Sequence, residues 1–202
     1  MACLDRQTGR MTNQPDPRPL LSIAIDLATS VVSNVRPDQY ELPTPCAEFN
    51  VGELLGHMVA VLERLTIIGS LGDPNDASRL IDVTPETVGT EWSTRADKVR
   101  AVWADPTLLR TMVTVPWGQV PGGAACAAYI SEITTHSWDL ATATGQQVQW
   151  ADDVCRLSLM AMKMALPPEL PRDAEIPFGQ PVAVSDDAPL IEQLVAWTGR
   201  RP

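Results

Sequence analysis

Tyr129-Ile130-Ser131-Glu132-Ile133-Thr134-Thr135-His136-Ser137-Trp138-Asp139 is the stretch that decides both the fold and the chemistry of this 202-residue chain. It lies in an Ala-rich run with helical spacing, from about Ala124 to Thr144, which closes at Gly145, a residue suited to a left-handed helix end. At i, i+4, Glu132 and His136 lie side by side on one helix face. At ~100° per residue, Ala125, Ala128, Glu132, His136 and Asp139 form one stripe, with Tyr129, Ile133 and Leu140 beside it on the core side. Small alanines next to a Glu/His pair leave room for a ligand or a close helix.

The only other histidine, His57, falls in a second helix predicted from about Asn50 to Ser70. Asn50 is a fitting N-cap, and Glu53, three positions on, is its capping-box partner. Val51, Leu54, Leu55, Met58, Val61, Leu62 and Leu65 make an apolar arc of about 150°, and His57 sits at its edge. Such a position faces a neighbouring helix while keeping contact with solvent. His57, Glu132 and His136 can therefore close a His-Glu-His trio, and three protein ligands with one open position describe a catalytic metal site. Bundles build such sites from inward-pointing Glu and His on facing helices. From pattern alone, that reading and a plain surface Glu/His pair stand level.

Outward from these two helices the chain reads as a helical bundle. A first helix spans about Pro19 to Val35, and Leu71 to Asp82 reads as a surface loop. A third helix runs from about Pro85, capped by Thr84, to Ala104. Thr111 to Val115 is β-capable and leads into the turn Pro116–Gly123, a small hairpin or extended loop. A fifth helix runs from about Asp152 to Leu166 and stops at Pro167-Pro168, with its methionines read as core filler. In the Pro- and Asp-rich tail, Ile176–Gly179 and Val182–Val184 read as extended, before a short helix from about Pro189 to Thr198. The expected organisation is a disordered extension over 1–16, a helical bundle over 17–168, and a segment over 169–202 packing on it. Met11 is an alternative start, which would leave residues 1–10 outside the native protein.

Composition narrows the function. The net charge is −10 and the pI about 4.6, so no basic patch exists to neutralise nucleic-acid phosphates or to meet an anionic membrane. No apolar run approaches the ~18 residues that cross a bilayer. The cysteines Cys3, Cys46, Cys126 and Cys155 form no C-x-x-C pair and match no zinc finger. They read as core residues of a reduced, cytoplasmic protein. Cys46, just before a helix start, is read as a small buried residue ahead of a reactive thiol. Asp139 is read as a solvated last-turn aspartate ahead of a partner that fixes a histidine tautomer. Arg79, Arg95, Arg100 and Arg110 offer grips for a substrate carboxylate, with nothing to select one. Trp117 lines a pocket or packs in the core.

Two motifs carry a resemblance. Pro43-Thr44-Pro45-Cys46-Ala47-Glu48-Phe49-Asn50-Val51-Gly52-Glu53-Leu54-Leu55-Gly56-His57-Met58-Val59 resembles the T-P-C-x-x-W-x-V-x-x-L-x-x-H-x-V signature of the mycothiol-dependent maleylpyruvate isomerase metal-binding domain family. Glu132 through His136-Ser137-Trp138-Asp139-Leu140-Ala141 to Gly145 resembles that family's E-x-x-x-H-x-W-D-L-A-x-A-x-G segment. The tail, with Phe178-Gly179-Gln180-Pro181-Val182, Asp187-Ala188-Pro189 and Trp197-Thr198-Gly199-Arg200, is similar to that of an actinobacterial subgroup. The resemblance implies an all-α, DinB-like four-helix bundle, up-down with a long crossover, plus a short β-capable insertion and a small C-terminal helix.

It also implies a divalent metal on His57, Glu132 and His136, zinc foremost, with nickel, cobalt or iron as alternatives. Mycothiol, a low-molecular-weight thiol, is the implied cosubstrate, and a small electrophile the implied substrate of S-transfer or isomerisation through a metal-bound thiolate. The alternative is a non-catalytic metal- or ligand-binding bundle whose site is regulatory or vestigial; a homodimer is compatible with either. The chain departs from the family pattern at Phe49, in place of Trp. It also has a short tail where the isomerase proper carries an α+β domain, which points away from maleylpyruvate isomerisation itself.

Overall fold

Asn50 starts the central helix as its sequence predicts. Its side chain accepts the Glu53 N–H at 2.8 Å, while the Glu53 carboxylate accepts the Asn50 N–H at 2.9 Å, which satisfies two donors a helix start leaves orphaned. From there α2 (Val51–Gly69) runs with every residue from Leu54 to Leu62 buried. The computed structural model describes residues 16–172 and 178–202. Most of the proposed N-terminal extension, Met11, Cys3, Ile176 and Pro177 lie outside the described residues.

The other helices are α1 (Arg18–Ser33), α3 (Val88–Trp103), α4 (Gly122–Thr144), α5 (Asp152–Ala165) and α6 (Leu190–Trp197). Both α1 and α2 pack on α3 and on α4. The ring order of the bundle is thus α1, α3, α2, α4, with α1 and α2 on a diagonal joined by the long crossing segment 34–50. The antiparallel hairpin of β1 (Met112–Val115) and β2 (Gly118–Pro121) joins α3 to α4, with Val115 opposite Gly118. It is the only sheet among the described residues. The fold is all-α with a β insertion, as expected.

Buried tryptophans bind the layers. The Trp92 indole N–H donates to Thr29 Oγ1 at 2.8 Å, tying α3 to α1, and that of Trp103 donates to the Leu65 carbonyl at 3.0 Å, tying α3 to α2. Each therefore buries a large apolar area without leaving a polar atom unpaired. Gly145, at φ 70°, ends α4 in the left-handed conformation its sequence position predicts.

Two expectations need correction. α3 begins at Val88, not Pro85, because Thr84 to Thr87 form a preceding turn of their own, with the Thr84 N–H donating to Thr87 Oγ1 at 2.9 Å. Of the α5 methionines only Met162 is core, whereas Met160 and Met164 are 58% and 77% exposed; methionine type alone does not tell the two faces of a helix apart. In the tail, Val182–Val184 pairs with no strand, and the Val182 N–H donates to the Ala196 carbonyl at the end of α6.

The segment between α2 and α3 is also more than a surface loop. The Ile81 N–H donates to the Gly56 carbonyl at 3.2 Å, and a Cβ at position 56 would collide with the Ile81 carbonyl oxygen. Gly56 is thus the residue that lets this segment lie flat on α2. Gly56→Ala forces backbone apart inside a packed interface, which typically costs about 1–3 kcal/mol. The expected outcome is a urea midpoint lowered to match, with the slope unchanged; an unshifted midpoint would mean that the segment is loosely held.

Candidate metal centre

The folding of α2 against α4 brings His57, Glu132 and His136 together. Their donor atoms all lie within 4.8 Å of one another. His57 Nε2 is 3.4 Å from Glu132 Oε1, the separation of two tetrahedral ligands with metal bonds of about 2.0–2.2 Å. The two imidazoles meet edge to face, with ring centroids 5.1 Å apart. Both histidines are buried, and Glu132 is half-buried.

Hydrogen bonds fix which nitrogen each ring presents. His57 Nδ1 lies 3.1 Å from the Arg79 carbonyl oxygen, an acceptor only, so Nδ1 carries the proton. His136 Nδ1 lies 3.0 Å from Asp139 Oδ2, and by the same logic carries a proton. In the neutral rings both Nε2 atoms are then lone pairs. His57 Nε2 directs its lone pair at a carboxylate oxygen, which is repulsive unless a cation, a proton or a metal ion, stands between them. Donor types, spacing and burial therefore suit a divalent cation, and imidazoles held by a carbonyl and a carboxylate are the usual supports of such ligands.

Asp139 is 0% exposed, which overturns the reading of a solvated last-turn aspartate. Arg200 explains how the burial is tolerated. Its Nε donates to Asp139 Oδ1 at 3.1 Å and its Nη2 to Oδ2 at 2.9 Å, and its Nη1 donates to the Thr198 carbonyl at 3.1 Å. Burial pushes the Asp139 carboxyl up, but the hydrogen bond from His136 and the charge and hydrogen bonds of Arg200 outweigh it and hold it below the usual carboxylate range. Burial likewise pushes Glu132 up; when a proton is the cation between them, the hydrogen bond from a doubly protonated His57, together with the charges of His57, His136 and Arg64, reverses this and leaves it lowered.

Above the trio, Phe49 stacks on His57 at 4.9 Å between centroids, and the Arg79 guanidinium lies 5.5 Å from the Phe49 ring. Arg64 contributes a cation beside Tyr129 and Glu132. Trp117 is neither core nor enclosed pocket: it is 60% exposed on the hairpin and tilts over Tyr129 at 6.0 Å. Of the four arginines singled out from sequence, Arg79 pairs with Glu48, Arg95 with Glu91 and Glu63, and Arg100 with Asp26 and Asp97, while Arg110 is exposed. Arg64 and Arg200 were not singled out; the one signal for Arg200 was the tail motif Trp197-Thr198-Gly199-Arg200.

A second group, Cys46, His136 and Asp139, also converges within 4.8 Å. Its charge is already balanced, because the Arg200 guanidinium occupies both oxygens of Asp139. Burial pushes the Cys46 thiol up, against the opposing pull of Arg200.

An all-α bundle with a two-histidine, one-glutamate cluster at the α2–α4 interface is thus the class that fold and site define. Residues 21–141 match the mycothiol maleylpyruvate isomerase N-terminal domain, and the chain belongs to that family. Two uncharacterized proteins of Mycobacterium tuberculosis, from strains CDC 1551 / Oshkosh and ATCC 25618 / H37Rv, are each 28% identical over 178 residues, 88% of this chain and 93% of theirs. The structure is similar to the crystal structure of the mycothiol-dependent maleylpyruvate isomerase, with a TM-score of 0.59 at 11% identity over 74% of this chain and 68% of that one. A single-histidine mutant of that isomerase matches with the same TM-score at 10% identity. At such identity the likeness is one of fold, and that fold is DinB-like. No helix among the described residues is long and apolar enough to cross a membrane.

The thiols among the described residues are poorly placed to react. Cys46, Cys126 and Cys155 are free and buried. Burial pushes Cys126 up to about 12 and Cys155 up to about 11, so the reactive thiolate is scarce near neutrality. At pH 8, iodoacetamide should leave these three cysteines unmodified in the native protein over a time that suffices to label all of them in guanidinium, as read by peptide mass mapping. Rapid native labelling of Cys46 would show that the protein carries a reactive thiol beside His136.

Proposed function

We propose that this protein binds one divalent metal, zinc foremost, through His57, Glu132 and His136, and uses mycothiol or a similar low-molecular-weight thiol to transfer sulfur to, or isomerise, a small electrophile. The observation that carries the reading is the convergence of donor atoms of His57, Glu132 and His136 within 4.8 Å of one another, with His57 Nε2 3.4 Å from the Glu132 carboxylate and both Nδ1 positions committed elsewhere. Family membership supports the thiol, and the three cysteines among the described residues are buried and raised, which makes them poor sulfur nucleophiles.

A divalent cation in this donor set supplies Lewis acidity that deprotonates a thiol near neutral pH. The chain's residues do the rest. The Arg79 carbonyl and the Asp139 carboxylate orient the rings and make them better donors. Glu132 brings one negative charge and the neutral imidazoles none, so a divalent ion keeps one positive charge for an anionic fourth ligand. Phe49 covers one face of His57 and limits water there. No residue of the trio needs to move a proton, since all three are spent as ligands.

Elemental analysis of protein grown with zinc, nickel, cobalt and iron available should find about one divalent metal per chain. His57→Ala and His136→Ala should each lose it while retaining helical circular dichroism. Wild type with metal and mycothiol should turn over a generic electrophile such as an aryl halide, and Glu132→Gln should lower the rate by about 10-fold or more, in line with the loss of a charged ligand. Absence of metal from wild type would refute the proposal. Metal binding without thiol-dependent turnover would instead leave a non-catalytic metal-binding bundle.

A further inference from the structure

The strongest unexplained feature is a cation from the far end of the chain buried against the metal centre. Arg200 is 6% exposed, lies 61 positions from Asp139, and falls outside the family-matched residues 21–141. Burying a guanidinium and a carboxylate together is weak evidence for added stability, because desolvation offsets much of the attraction. The pair therefore calls for another role, and its neighbour supplies one. Asp139 Oδ2 accepts from Arg200 and His136 at once, so the guanidinium sets where the carboxylate points and the carboxylate sets where the imidazole points.

The tail is shaped to deliver that side chain. At the end of α6 the Arg200 N–H donates to the Val195 carbonyl at 2.9 Å and the Gly199 N–H to that of Ala196 at 3.1 Å, the paired bonds of a Schellman turn. Gly199 is left-handed at φ 91°, and a Cβ there would strike the Gly179 backbone. The turn folds the chain back so that Arg200 points into the bundle instead of along the helix axis, with Phe178 5.9 Å below its guanidinium. The tail is anchored by its own apolar cluster, in which Leu194, Val195 and Ile191 meet Trp138, Cys155, Leu159 and Met162, apart from the main core. Trp138 directly precedes Asp139, so the anchor and the ion pair act on the same turn of α4.

We propose that Arg200 is a positioning residue of the metal centre: the C-terminal segment clamps Asp139 through it, and so holds His136 with Nε2 turned toward His57 and Glu132. This rests on the metal-binding reading for its effect on affinity, but the effect on the ring is present without metal. The three full-length variants are Arg200→Gln, Arg200→Lys and Leu194→Ala. Two readouts are taken on each: the His136 imidazole nitrogen shifts of the metal-free protein with its rings neutral, and Zn²⁺ affinity against a chromophoric chelator.

In wild type His136 should be the Nδ1–H tautomer. Arg200→Gln should give mixed tautomers and bind Zn²⁺ about 10-fold or more weakly, and Arg200→Lys should restore most of both. Leu194→Ala should lower Tm while leaving tautomer and affinity near wild type. A His136 tautomer and Zn²⁺ affinity unchanged in Arg200→Gln would overturn the inference. So would equal losses in Leu194→Ala, which would reduce Arg200 to general tail packing. If wild type binds no zinc, the metal proposal falls, and the tautomer comparison alone still decides the role of Arg200.

Discussion

A carboxylate with no exposed surface, Asp139, is the constraint around which this structure is organised. An unpaired charge in that position would cost several kcal/mol or would neutralise. It stays ionised because one side faces the Nδ1–H of His136 and the other the fork of Arg200. Each of those partners is placed by a different part of the fold: His136 by the same helix, three residues back, and Arg200 by a turn that only a left-handed glycine permits. Loss of either would leave the other charge buried and half-satisfied, so the centre and the C-terminal segment stand or fall together.

The second organising feature is the burial of α4. From Tyr129 to Ala141 every residue except Glu132 is buried, because α1, α2 and α5 all pack against it and α6 reaches its last turns. A helix surrounded in this way cannot show a clean amphipathic stripe, and its polar residues must find partners inside. Ser131, Thr134 and Ser137 do so by donating to the carbonyls of Ala127, Ile130 and Ile133 at 2.7–2.8 Å. Glu132 is the exception, only half-buried where its neighbours are closed off.

This distribution explains what was legible in the sequence. Local signals survived intact: the Asn50/Glu53 capping box, the Gly145 helix end, and the i, i+4 pairing of Glu132 with His136 all depend on a few neighbouring residues. The approach of His57 to that pair needed only that two helices face each other, and a bundle makes that the default. The supports of the trio were not legible, because each comes from a distant segment. The Arg79 carbonyl reaches His57 through a segment that looked like surface loop, and no side-chain pattern marks a backbone oxygen. Asp139 looked like an ordinary last-turn acid because its partner lies 61 positions away. The exposed Met160 and Met164 failed in the opposite sense: an apolar type was read as core where the helix turns it outward.

The two histidines are held unequally, and this bears on the chemistry open to the site. His57 leans on a neutral carbonyl, and His136 on an ionised carboxylate whose charge Arg200 partly offsets. The orientation of His57 thus depends on one backbone oxygen, and that of His136 on a side chain that is itself held by a second one. Around them Glu132 and Asp139 contribute two negative charges, and Arg64 and Arg200 two positive ones. The permanent charges therefore cancel before any ion binds. If a divalent cation is held there as proposed, its charge favours an anionic occupant over a neutral one, and so a thiolate over a thiol.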